Sequence, residues 1–381
     1  MSMLLNRNKK NTSGDPAKKD DKYYYASQWQ LMGRKFRKHK LAMTSSFVLM
    51  IFYLTAIFGS FIAPQGTEQF DGKYVNCPPN SVHLFHEGKF VGPFVYGLKA
   101  SRDPETYMLT FVEDTESIYR VRFFSQGDEG SEYKFLGLFE SNLHLFTVEE
   151  GGKLFLFGTD SMGRDLFSRV VHGAKISLFI PVVGMLLTLF LGLIMGSLAG
   201  YVGGWVDTLI QRIVEVVRSF PQVPLWMALS AAIPKTLKPA QVFMLMTLIL
   251  SLISWPDLSR VIRSKFISVK KEDYIMAARI SGAPAHAVVI RHMIPSFLSY
   301  IIVNMTMAIP NLIIGETTLS FLGLGLRSPA TSWGVLLQET NRLETISFYG
   351  WKLIPMIFVF VTVLAFNFMG DGLRAAADPY K

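Results

Sequence analysis

Six apolar runs punctuate the chain, near residues 41–63, 176–200, 206–233, 241–257, 297–320 and 350–370. Crossing a hydrocarbon core of about 30 Å takes about 20 helical residues, so these runs predict an all-α polytopic membrane protein with six transmembrane helices. Between the first two runs the pattern changes. "TYMLTFVED" and "SIYRVRFFSQGDEGSEYKFLGLFE" alternate with a period of two around a Gly-Asp-Glu-Gly turn, which predicts strands and a β-rich insert over 64–157. The first run, "LAMTSSFVLMIFYLTAIFGSFIA", is too long for a signal h-region and lacks a small-x-small cleavage site. It is expected to stay as an anchor.

Charge orients the runs. The net charge is +9, and residues 1–40 alone carry eleven Lys and Arg against three Asp. Positive residues beside a span mark its cytoplasmic side and favour anionic lipid; the excess therefore points to membrane rather than nucleic acid. Six crossings from an inner N-terminus put 64–175, 234–240 and 321–349 outside and 201–205, 258–296 and 371–381 inside. Loop 258–296 holds seven Lys and Arg, whereas the outer loop 321–349 holds only Arg327 and Arg342. The expected organisation is a basic cytoplasmic tail 1–40, a first transmembrane helix 41–63, an extracellular insert 64–157, and a core 158–381 with five transmembrane helices and both termini cytoplasmic.

Several chemistries are excluded. The single cysteine, Cys77, rules out an internal disulfide and any Cys-based zinc site, and His83 with His86 lacks the further ligands a metal needs. No Gly-x4-Gly-Lys-Ser/Thr loop occurs, and no paired catalytic constellation falls at span depth. Neither an enzyme nor a metal site is expected. Asp207, Arg212, Glu215 and Arg218 cluster at the inner end of the third run, with Arg212–Glu215 and Glu215–Arg218 at helical i, i+3 spacing. They read either as mutual neutralisation at an interface or, for Asp207, Arg212 and Glu215, as the polar lining of a path. Glu316 and Asp257, near span ends, read as interfacial, as does an amphipathic helix over "GRDLFSRVVHGAK" at 163–175. "LGLIMGSLAG" reads as small-residue helix packing.

The charged stretch "EDYIMAARISGAPAHAVVIRHMIP", 272–295, lies between two spans. Ala277, Ala278 and Gly282 leave one side of a short helix bare, a Gly-Ala-Pro turn follows, and Pro295 closes the unit. This predicts a cytoplasmic helix–turn–helix onto which another backbone can close. The alternative is a loop packed on its own bundle.

Here the sequence resembles a family. Ala277-Ala278, Gly282 and Pro295 are spaced as in the "EAA" loop of permease subunits of bacterial ATP-binding-cassette importers, with Met276 where the name-giving glutamate would stand. "YIMAARISGA" and "RHMIP" are similar to the dipeptide and oligopeptide branch, and so are "GTDSMGRDLFSRVVHGAKISL", "ETTLSFLGLGLRSPATSWGVLL" and "GDGLRAAADP". The resemblance implies a type I importer permease fold in a bacterial inner or plasma membrane and the second of two homologous permease subunits. It also implies two cytoplasmic ATPases that bind ATP and Mg, so that this chain binds no cofactor, and an extracellular peptide-binding protein. Asp273, Tyr274, Ala277, Ala278, Arg279, Gly282, Ala283 and Pro295 would then couple the ATPases to peptide import. Two other functions are weighed: the same machinery importing nickel or another small solute, and a membrane anchor or receptor displaying the insert.

Overall fold

Among the described residues, five helices are long and apolar enough to cross a membrane. The computed structural model describes residues 27–102, 104–105, 108–127, 131–135, 139–234 and 236–378, so the first 26 residues of the basic tail lie outside the described residues. An amphipathic helix α1 (Gln28–Lys38), capped by Ser27 and Gln30 in a reciprocal box, turns at His39 into the first span, α2 (Lys40–Ile57). The remaining α-helices of eight residues or more among the described residues are α3 (Leu166–Ser197), extended by a π turn to Val202; α4 (Gly204–Ser219); α5 (Gln222–Ala231); α6 (Pro239–Val269); α7 (Asp273–Ile280); α8 (Leu298–Phe321); and α9 (Ile354–Ala377).

The expected third span over 206–233 is not one helix. Pro221 forces Phe220 into extended backbone, at φ −90° and ψ 139°, and splits the run into α4 and α5. Neither piece alone reaches the roughly 20 residues that a crossing needs. The segment 163–175, expected as a helix leading into the second span, opens α3 itself, with Asp165 accepting from the backbone N–H groups of Phe167 and Ser168 and Arg169 only 3 % exposed. The guanidinium is tolerated because Asp160 accepts from both Arg164, at 2.7 Å, and Arg169, while Glu339 and buried Lys352 form an adjacent pair at 3.0 Å.

Small residues set the spacing of the core. Gly192, Gly196 and Gly200 recur every four residues along α3 and its π turn and face α6. A Cβ at Gly196 would lie 2.7 Å from the Ser259 carbonyl oxygen, and one at Gly200 2.5 Å from the Phe266 Cβ. Backbones can approach this closely only where side chains are absent. Glu316, expected at an interface, is instead fully buried inside α8. Its Oε1 accepts from the Ser320 hydroxyl at 2.9 Å and the Ser332 hydroxyl at 2.8 Å, so the carboxyl is held by hydroxyls that the hydropathy pattern cannot reveal.

Between α2 and α3 the chain forms an antiparallel sheet of order β1-β2-β3-β6, namely β1 (His83–His86), β2 (Lys89–Arg102), β3 (Leu109–Gln126) and β6 (Leu143–Val148), with a separate hairpin of β4 (Tyr133–Phe135) and β5 (Phe139–Ser141). Val95, Val121, Phe146 and Leu154 make its apolar core, and His144 Nδ1 lies 2.7 Å from the Ala63 carbonyl oxygen, fixing the sheet to the end of the first span. His83 and His86 both pack on Phe94 and Tyr96, His83 facing Glu113 and His86 the Tyr96 hydroxyl. Among the described residues no group of three His, Cys, Asp or Glu could hold a metal ion. Cys77 has no exposed surface, and burial pushes its thiol up to about 12. A maleimide should therefore leave Cys77 unmodified in the native protein and react only after denaturation; rapid native labelling would contradict the burial.

Candidate functional site

The loop between α6 and α8 is built around one anchor. Ile275 is fully buried in one cluster with Phe266, Val288, Met293 and Phe297, seating α7 against the C-terminal end of α6 and the N-terminal end of α8. Asp273 stands in the first turn of α7, where a negative charge suits the helix dipole, and Arg279 stands in the last. The helix then stops at Gly282. Its φ of +81° is the left-handed conformation that glycine adopts freely. Gly282 donates its N–H to the Arg279 carbonyl at 3.1 Å and Ala283 to that of Ala278 at 3.1 Å, the paired bonds of a Schellman motif. Gly282 is thus required by the turn, with open space where a Cβ would stand. Gly282→Ala should cost about 1 kcal/mol through the left-handed backbone alone, read as faster hydrogen exchange over 273–283 with little change in global melting.

The small-residue patch is divided by the fold. Ala277 and Gly282 are exposed, but Ala278 and Ala283 are half-buried against the same cluster as Ile275. Large apolar side chains are exposed instead: Ile280 is 87 % exposed, and Tyr274 and Met276 of the same helix and Ile290 of the next helical segment are exposed as well. Exposed apolar groups gathered on an otherwise charged loop mark a contact surface. Pro295 enters a short helical turn, Ile294–Ser296, and the backbone breaks two residues later at Phe297, with φ −126°. Helix, Schellman turn and second helical segment thus make the helix–turn–helix expected of 272–295.

The charge cluster is also redistributed. Asp207 accepts from Arg263 of α6 through both carboxylate oxygens, at 2.6 and 2.5 Å, which clasps α4 to α6. Arg212 and Glu215 form the expected surface pair at 2.7 Å. Glu215 does not engage Arg218, whose guanidinium reaches Asp257 of α6. Asp257 is not at a helix end, because α6 continues twelve residues beyond it to Val269. It sits on the rim of a cavity of about 230 Å³ whose polar lining is Thr188, Gln222, Ser254, Asp257, Asn304 and Asn311. A larger cavity of about 620 Å³ shares Asn304 and holds Lys265 and Arg374, with the Lys265 ammonium 4.2 Å from the Tyr300 ring centroid.

Asp207, Arg212 and Glu215 do not line the first cavity. The polar set that does was missed, although a signal existed: Asn304 and Asn311 lie seven residues, about two turns, apart on one face of an apolar helix. Asn311 is exposed on α8, and an exposed amide within a membrane-spanning helix is costly against lipid. This face is suited to water or to another protein subunit.

Comparison with known proteins supplies the remaining evidence. The family described as "Binding-protein-dependent transport system inner membrane component" matches residues 189–380, and the "N-terminal TM domain of oligopeptide transport permease C" matches residues 27–79. The chain is 28 % identical over 378 residues to the dipeptide transport system permease protein DppC of Bacillus subtilis, covering 99 % of this chain and 92 % of that one. It is 40 % identical over 225 residues to the oligopeptide transport system permease protein OppC of Escherichia coli strain K12, covering 58 % and 72 %. A solved chain of the MetNI methionine ABC transporter superposes with a TM-score of 0.41 at 17 % identity, covering 55 % of this chain and 96 % of that one.

Proposed function

Given that the chain belongs to the binding-protein-dependent transport system inner membrane component family, we propose that it is the second permease subunit of an ATP-driven peptide importer, forming half of the translocation path. The observation that carries this reading is the match along nearly the whole chain to a dipeptide permease. The named relatives are dipeptide and oligopeptide permeases, which favours peptide cargo over nickel or another small solute. A permease family match across the α3–α9 region likewise argues against an anchor whose only active part is the insert.

In this reading the broken pair α4–α5 makes a sixth crossing. Parity supports it. Lys35, just before the first span, donates to the Asp378 carbonyl at 2.9 Å, just after the last. Both ends of the bundle must then lie on one face, which five crossings would forbid and six allow. The basic tail makes that face cytoplasmic, with the strand-bearing insert outside. The α7 loop then faces the cytoplasm, where Ile280, Met276 and Tyr274 dock on one of two partner ATPases that bind ATP and Mg, while this chain itself binds no cofactor. The polar cavities along α6 and α8 face a second, homologous permease across the path. An extracellular peptide-binding protein delivers the cargo.

Affinity purification of the tagged chain in mild detergent tests the assembly. A second permease and ATPase subunits should co-elute in fixed proportion, and a chain that purifies alone would contradict the reading.

A further inference from the structure

We propose that Arg218 and Asp257 receive the two termini of the passing peptide, the guanidinium taking the carboxylate and the carboxylate taking the ammonium. This deepens, and rests on, the peptide-import reading. The ion pair joins the last turn of α4 to the middle of α6, yet it is open: the side chains are 45 % and 67 % exposed. It differs in this from the Asp207–Arg263 clasp nearly two turns further along α6, whose side chains are only 20 % and 31 % exposed and bonded through both oxygens. Two ion pairs therefore tie α4 to α6, and the second is not needed as a tie.

Asp257 lines the same cavity as Gln222, Asn304 and Asn311. Asn304 spends its amide on the Tyr300 carbonyl at 2.8 Å. The neighbouring amides are the groups that would hydrogen-bond a peptide unit between the two charges. A dipeptide reaches about 7 Å end to end, so its ammonium and carboxylate can separate the pair and replace each partner in turn.

The chemistry fits a zwitterion and not a lone ion. In the empty path each side chain neutralises the other. A peptide with both termini charged exchanges one neutral arrangement for another, and no step leaves a charge without a partner. Arginine also matches a carboxylate through two parallel donors. A small metal cation could pair with Asp257 only by stranding Arg218, so the site selects for the zwitterion.

The test reconstitutes the permease pair, ATPases and binding protein in proteoliposomes and follows a radiolabelled dipeptide. The wild-type arm examines import itself: no ATP-dependent uptake there would defeat the peptide reading whatever the ion pair does. With wild-type uptake in hand, Arg218→Gln, Asp257→Asn and the double variant are compared. Loss of a charge-assisted contact to substrate should lower uptake about tenfold or more in all three, while ATP hydrolysis still responds to the loaded binding protein, and Asp257→Glu should keep most of the uptake. If the ion pair is only a tie between helices, the double variant, which leaves no charge unpaired, will recover to near the wild-type rate. That recovery, or unchanged uptake in either single variant, overturns the proposal. Should a single variant fail to assemble, the double variant decides alone.

Discussion

Ile280→Asp is expected to lower ATP-driven uptake about thirtyfold, while membrane abundance and the melting temperature stay at wild-type values. The side chain is 87 % exposed, so an exchange there should move folding stability by no more than about 0.5 kcal/mol. Under the proposed docking of α7 on an ATPase, its loss is felt at that contact instead. A central apolar anchor of an interface typically contributes about 2 kcal/mol or more, and each 1.4 kcal/mol is about tenfold in affinity. A carboxylate at the same point adds a desolvation cost. Peptide uptake and binding-protein-stimulated ATP hydrolysis should therefore fall together. Lys271→Ala, in the turn before α7, is the control and should change both by less than about twofold. Wild-type uptake in Ile280→Asp would remove α7 as the coupling element.

The second large effect is on folding. Asp160 is 2 % exposed and accepts from Arg164 and Arg169, and also from the backbone N–H groups of Met162 and Arg164 at 2.8 and 3.0 Å. Asp160→Ala strands the Arg169 guanidinium inside the protein. Removing one partner of a buried ion pair costs about 3–5 kcal/mol, a large part of the 5–15 kcal/mol typical of a whole domain. The variant should fail to accumulate, or melt far below wild type in detergent. Asp160→Asn keeps an acceptor oxygen and should be milder. Normal accumulation and melting of Asp160→Ala would show that the network carries little weight.

These two sites differ in how openly the sequence declares them. The 272–295 unit was legible because its chemistry is local: Gly282 and the Gly-Ala-Pro turn encode a helix stop within a few residues. Which side of it faces outward was not, because that depends on Ile275 reaching Phe266 and Val288 from a neighbouring part of the loop and from another helix. Span positions were legible wherever the apolar run is uninterrupted. At 206–233 run length concealed the break that Pro221 imposes. Charges were the least legible. Arg218 has Glu215 three residues away, but its partner is Asp257, 39 positions on, and Glu316 is held by Ser332 across a turn. Sequence spacing names the local candidate, and the fold chooses the non-local one.

The central claim is that energy applied at the α7 face drives peptide across the membrane from the side of the insert. Proteoliposomes carrying the full complex, with binding protein and labelled dipeptide outside, test it when ATP is sealed inside or supplied only outside. The peptide should accumulate above its external concentration only in vesicles whose loop 258–296 faces enclosed ATP. Equal uptake with ATP confined to the insert side, or equilibration without ATP, would contradict the account.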